Sequence, residues 1–251
     1  MSTEKRPPGR FSHDDHKVPV TGLAFYNDDT LLAGEGTYLN VYDIRRTERI
    51  ASRKIFQDQA VYGIIVEPTS CLVVAFGGSR ITTLRLQRAP DDSVYVERGR
   101  IHDVGDWILD AAFNPWGSEN NLPHVALVTA HNALLGCHLE IPSNGGGPPT
   151  LEVRPSISGS NCILYSAHIS WLSASHCLIA SGTAFGDIVV WSGLFNKADG
   201  WQYAQTQTHY TFSAHEGSVF GVELSHLRST DILDGRQHLL CLLYTSDAAD
   251  E

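Results

Sequence analysis

No stretch of this sequence approaches the roughly 18 consecutive apolar residues of a membrane-crossing helix, so no membrane span is expected. The polar opening, MSTEKRPPGRFSHDDHK, lacks the apolar centre of a secretory signal. Cysteine is scarce: Cys71, Cys137, Cys162, Cys177 and Cys241 form no Cys-x-x-Cys pair, and no Asn-x-Ser/Thr sequon accompanies them. These features predict reduced thiols in an intracellular, cytoplasmic protein. Positive charge is short as well, with 18 Lys and Arg against 28 Asp and Glu and a net charge of -10. Neutralising phosphate needs a basic face, which speaks against independent nucleic-acid binding. A place beside a subunit that supplies the positive charge stays open.

Reactive-centre patterns are missing too. There is no Gly-x-Ser-x-Gly, phosphate-binding loop or zincin pattern, and no Ser/His/Asp set follows from residue order. No catalytic, cofactor-binding or metal residue is therefore assigned, and no cofactor is expected. HDDH, His13 to His16, lies in a polar arm without a preformed cage and reads as a solvated charged stretch. GEG, Gly34 to Gly36, lacks the third glycine and the helix of a dinucleotide fingerprint, and reads as a turn between strands.

What the sequence does contain is a repeat. VTGLAFYNDDTLLAGEGTYLNVYDI is followed by VYGIIVEPTSCLVVAFGGSRITTLRL, WILDAAFNPWGSENNLPHVALVTAHNALLGCHLE, ILYSAHISWLSASHCLIASGTAFGDIVVWSG and SVFGVELSHLRSTDILDGRQHLL. Each opens on a first-strand position: Val20, Val61, Trp107, Leu164 and Val219, spaced by 41, 46, 57 and 55 residues. The unit is close to the roughly 40–45 residues of a four-stranded propeller blade. Longer copies carry loop-like inserts over Pro142–Thr150 and Asn196–Thr208. ASRKIF, YVERGRI and THYTFSA supply weaker fourth strands. Val, Ile, Leu and aromatics at this spacing, with no 3.6-residue stripe, predict an all-β protein.

LIASGTAFGDIVVW resembles the signature of WD repeats, with Trp191 at the Trp of the Trp-Asp dipeptide and Ser192 in place of its Asp. Tyr42-Asp43 falls at the same place in the first unit, and Ala214-His215 resembles the Gly-His that leads into a blade. The turn Asp that bonds this His falls on Phe185, and units two and three lack Trp-Asp. PVTGLAF, LLAGEG, VAFGG, DWILDAAF, TAHNAL and AHEGSVFGVEL occur in the order and spacing of the WD repeat-containing protein 6 family. The resemblance covers about Val18 to Ser225 and implies an incomplete WD-repeat β-propeller of four blades plus the start of a fifth. It also implies a non-catalytic partner of a tRNA 2′-O-ribose methyltransferase acting at the wobble nucleotide, with tRNA reached only through the complex. A general WD-repeat adaptor in trafficking or ubiquitin-ligase assembly is the alternative, and a propeller hydrolase a third.

CLLYTSDAADE, Cys241 to Glu251, back-translates to a sequence resembling a transposase sequencing adaptor read in frame, and is expected to be foreign. Without it the net charge is -7. The expected organisation is a flexible arm over 1–17, a partial propeller over 18–240 and a non-native segment over 241–251. Further residues stand out chemically. On a strand, Asp106 and Asp110 would share a face with Trp107 opposite. Acid–base work is conceivable, but a buried Trp107 anchoring the blade, with Asp106 capping the lead-in turn, is preferred. Trp116, in the turn NPWG, suits either a surface anchor or loop packing. His131 and His168 read as core or turn histidines.

Overall fold

The computed structural model describes residues 18–116, 122–140, 147–154, 157–158, 162–195, 204–225 and 240–244, with the backbone alone at 157–158, 204, 225 and 240–244. The expected arm over 1–17, with HDDH, and residues 245–251 lie outside these. All regular structure among the described residues is β, including the stretch from Val61 to Leu86. The chain separates into two compact units, Met1–Asp103 with Glu140–Thr150, and Val104–Leu139 with Leu151–Glu251.

In the first unit, β1 (Val20–Asn27), β2 (Thr30–Glu35), β3 (Tyr38–Asp43) and β4 (Glu48–Lys54) form one antiparallel sheet in chain order. A second sheet joins β5 (Gly63–Val66), β6 (Val73–Gly77), β7 (Arg80–Arg88) and β8 (Val94–Arg98), and β9 (His102–Asp103) also pairs with β7. GEG runs from the end of β2 into the β2–β3 turn, where Gly36 sits at φ 56. The run VVAFG of β6 is buried throughout, as a strand covered on both faces must be. Leu32, Leu39 and Val41 of the first sheet pack with Ile64, Val73, Ala75 and Leu84 of the second and with Val61 in the segment that leads into it. Each buried Val, Leu or Ile among them contributes about 1.5–3 kcal/mol. The Thr21 hydroxyl donates to the Val61 carbonyl at 2.6 Å and fixes the two sheets together. At Gly77 a Cβ would lie 1.8 Å from the Ala60 carbonyl oxygen, so only glycine lets that lead-in segment pass.

The second unit repeats the plan. β10 (Ile108–Phe113), β11 (Val125–Thr129), β12 (Ala133–Glu140) and β13 (Thr150–Val153) form one sheet, and β14 (Ile157–Ser158) also pairs with β12. β15 (Leu164–Ser173), β16 (His176–Thr183), β17 (Asp187–Phe195) and β18 (Ala204–Ser213) form the next. β19 (Gly221–Ser225) pairs with β20 (Leu240–Tyr244), so four residues expected to be foreign extend a native first strand. Backbone pairing asks only for an extended apolar segment, which LCLLY provides.

Between the first two sheets of this unit lie Ala126, Val128, Leu134, Ile169, Trp171, Cys177, Ile179, Val189 and Trp191. The opposite face of β17, through Ile188 and Val190, packs on Val219. Trp191 is fully buried, and its indole N–H donates to the Ser181 hydroxyl at 3.0 Å. Half of the WD-type side-chain network is thus present. Phe185 stands at the turn-Asp position, and the turn is held instead from the end of β16 by the Thr183 hydroxyl, which accepts the Phe185 and Asp187 N–H groups at 3.2 and 3.0 Å. A register shift precedes Trp191 where β17 meets β18, and the same shift precedes Tyr42 where β3 meets β4. The two residues are structurally equivalent.

Two expectations are corrected. The insert over Asn196–Thr208 ends before Ala204, because Ala204–Thr208 already pair with β17. Alternating Gln and Thr carry little apolar signal, so the strand looked like loop. The first-strand position of the third unit is Ile108, not Trp107. Ile108 opposes Thr129 as Leu164 opposes Thr183 and Val20 opposes Glu35, each just before a bulge.

Among the described residues, Cys71, Cys137, Cys162 and Cys177 form no disulfide. Burial pushes the Cys177 thiol up to about 12 and the Cys137 thiol higher still. Iodoacetamide at neutral pH is therefore expected to alkylate half-exposed Cys71 and Cys162 in the folded protein and to spare Cys137 and Cys177. Peptide mass mapping checks this; native-state adducts on the two buried thiols at a similar rate would contradict it.

Candidate interaction surface

At one end of the second unit the turns that lead into and across the sheets are laced by main-chain hydrogen bonds. Ala130 N–H donates to Trp107 O, and Leu164 N–H to Ala130 O, both at 2.8 Å. Ala184 N–H donates to Ile163 O at 3.1 Å, and Val219 N–H to Thr183 O at 3.1 Å. The Ser218 hydroxyl donates to Ala184 O at 3.0 Å. This lacing brings together residues more than 100 positions apart in the sequence. Five large apolar side chains stand out from it: Trp107 is 52% exposed, Ile163 47%, Tyr165 48%, Phe185 71% and Phe220 54%. Tyr165 and Phe220 meet edge to face with ring centroids 5.1 Å apart. Single exposed apolar residues are unremarkable, but a contiguous group marks an interaction site.

Asp106 builds one corner. Its carboxylate accepts the Trp107 N–H at 2.8 Å and the His131 N–H at 3.0 Å, and pairs with the His131 ring at 2.9 Å. Burial acts to raise this carboxyl, but hydrogen bonds from Thr129, His131 and the two N–H groups outweigh it and hold it below the usual range. Asp106 thus caps the lead-in turn as expected. Trp107, however, is turned out to solvent, and Ile108 is the buried anchor. His131 is the turn histidine, with its side chain exposed.

Asp110 does not pair with Asp106, which lies off the strand. Its carboxylate sits in the seam between β10 and β15 and accepts the Ile169 N–H at 2.7 Å. Burial pushes it up to about 7, against the hydrogen bonds from the Ile169 and Ala111 backbone. The Trp171 indole N–H reinforces the same seam by donating to Ala112 O at 3.3 Å. Asn114 donates to Pro123 O at 3.0 Å and Ala174 O at 2.8 Å, and accepts the Trp116 N–H at 3.0 Å. Trp116 itself is exposed, the surface alternative of its two readings. His168 is half-buried on β15.

Among the described residues no group of three or more His, Cys, Asp or Glu converges as a metal site would require. No helix among them is long and apolar enough to cross a membrane. A shallow cleft in the first unit, about 360 Å³, is lined by Lys54, Phe56, Gln57, Arg80, Arg98 and Ile101. Asp58 already pairs with Arg80, and Arg98 donates to Ile55 O at 2.6 Å.

No family model matches the sequence, and no curated protein does. Solved structures do. Sqt1 of Saccharomyces cerevisiae is 10% identical over 85% of this chain and 54% of its own, with a TM-score of 0.57. Sqt1 of Chaetomium thermophilum is 16% identical over 84% and 54%, also at 0.57. The β-propeller domain of Cps50 (Swd1) of Myceliophteria thermophila is 13% identical over 82% and 60%, at 0.50. The chain spans a little over half the length of these structures. At such identities the likeness is one of fold, and that fold is the WD-repeat β-propeller, present here as four blades and the opening of a fifth.

Proposed function

We propose that this chain is a non-catalytic, cytoplasmic WD-repeat scaffold that partners a tRNA 2′-O-ribose methyltransferase in modifying the wobble nucleotide. The laced turn end of the second unit carries the scaffold reading: it offers five exposed apolar side chains on a rigid frame. The family-like motifs, PVTGLAF to AHEGSVFGVEL, support the choice of partner. In this arrangement the chain supplies a surface, while the methyl donor and the transfer chemistry reside in the partner. The acidic balance fits tRNA that is held through the complex and not by this chain alone. Under the same proposal the partial propeller covers 18–240 and the segment 241–251 is foreign; sequencing the source locus past codon 240 tests that.

Co-purification of the full-length protein from its own cells is expected to bring a tRNA methyltransferase with it. Deleting the gene is expected to abolish 2′-O-methylation at the wobble position, read by tRNA mass spectrometry. Normal methylation in the deletion strain would refute the methyltransferase partnership. Association with other proteins and unaltered tRNA would place the chain among the general adaptors.

A further inference from the structure

The turn end of the second unit is acidic as well as apolar. The described residues of that unit include the carboxylates Asp106, Asp110, Glu152, Asp187, Glu216 and Glu223. Against them stands one guanidinium, Arg154, and it is paired with Glu152 at 3.4 Å. No lysine is among them. The first unit differs: Arg45, Arg46, Arg80 and Arg88 there each face a carboxylate. Asp106, Asp187 and Glu216 fall in or beside the laced turns that carry the apolar side chains. Asp187 follows the β16–β17 turn, and Glu216 lies in the segment leading to β19.

We infer that this end docks a basic, apolar-rich segment of a partner protein, its arginine or lysine side chains set against Asp187 and Glu216 and its apolar ones against Trp107, Tyr165 and Phe220. The inference rests on the scaffold reading and adds to it the chemistry of the segment bound. Three physical effects converge. Exposed apolar area gains from being covered. Ring faces such as those of Trp107 and Tyr165 attract a guanidinium. A field of one sign, with no unpaired cation among the described residues, steers a cationic segment in and turns an acidic one away. The same field repels a nucleic-acid backbone.

The test uses the full chain and a fluorescein-labelled peptide of alternating arginine and leucine, followed by fluorescence anisotropy. Saturable binding that weakens with added salt is expected. A glutamate–leucine peptide and a single-stranded oligonucleotide are expected not to bind. The double substitution Asp187→Lys and Glu216→Lys is expected to raise Kd about tenfold or more, as is Trp107→Ser with Phe220→Ser. All these side chains reach the surface, and circular dichroism verifies that each variant is folded. Asp28→Lys in the first unit makes a control of equal charge change per site and is expected to leave Kd unchanged. An equal loss with Asp28→Lys would reveal bulk charge attraction only and overturn the inference. Equal affinity for a serine–leucine peptide would also overturn it, while leaving the scaffold reading intact. Failure of the methyltransferase to co-purify strikes that reading alone.

Discussion

Replacing Trp191 by alanine is expected to cost about 3–5 kcal/mol of unfolding free energy, the largest effect of any single substitution in the second unit. The indole is fully buried between β17 and the neighbouring sheet, among Ala126, Val128, Leu134, Ile179 and Val189. Truncation removes the apolar contact and leaves a cavity that a rigid sheet stack closes poorly. It also strips the Ser181 hydroxyl, itself fully buried, of its donor. Trp191→Phe separates these contributions: most of the volume stays, the N–H is lost, and about 1–3 kcal/mol is expected. Urea titrations followed by circular dichroism measure both. If Trp191→Ala unfolded at the wild-type midpoint, the blade would not depend on this anchor.

Asp110 carries the second large effect, and it depends on pH. Its carboxyl titrates at the ordinary 3.8 when unfolded and, because of burial, at about 7 when folded. Between those values the folded chain holds a proton that the unfolded chain has released. Stability therefore falls as pH rises from about 4 towards 7, and the loss is complete above that. The interval corresponds to no more than about 4 kcal/mol. Asp110→Asn keeps an oxygen for the Ile169 N–H and cannot ionise. The variant should match the wild type near pH 4 and exceed its stability by about 2–4 kcal/mol near pH 8. Paired urea titrations at the two pH values decide it. Parallel wild-type and variant curves across the range would show that Asp110 is not the titrating group.

The sheets were legible in the sequence because burying a strand on both faces demands runs such as VVAFG and DIVVW, which no amphipathic helix pattern mimics. Val20 and Leu164 align as first-strand positions, each the apolar residue just before a bulge, whereas Val61 and Val219 are buried in the segments that lead into β5 and β19. The large Trp107 outweighs the neighbouring Ile108 in the sequence pattern, and it takes the strand register and the burial of Ile108 to show which enters the core. The beginning of β18 was hidden by AQTQT, polar residues that become a strand through pairing with β17 and not through their own preference. The apolar turn end was not legible at all. Trp107, Ile163 and Phe220 lie far apart along the chain, and hydrogen bonds between different turns bring them together.

Gly186 shows what this style of construction means for anyone wishing to recombine its parts. It sits at φ 87, and a Cβ there would come within 1.9 Å of the His215 carbonyl oxygen. Its own carbonyl accepts the Ala214 and His215 N–H groups at 3.0 and 3.1 Å. The natural cassette is therefore not one sheet but a sheet together with the first residues of its successor. A chimera spliced between Ser213 and Ala214 would divide a lock from its key, and grafts of this architecture should be cut inside a strand instead.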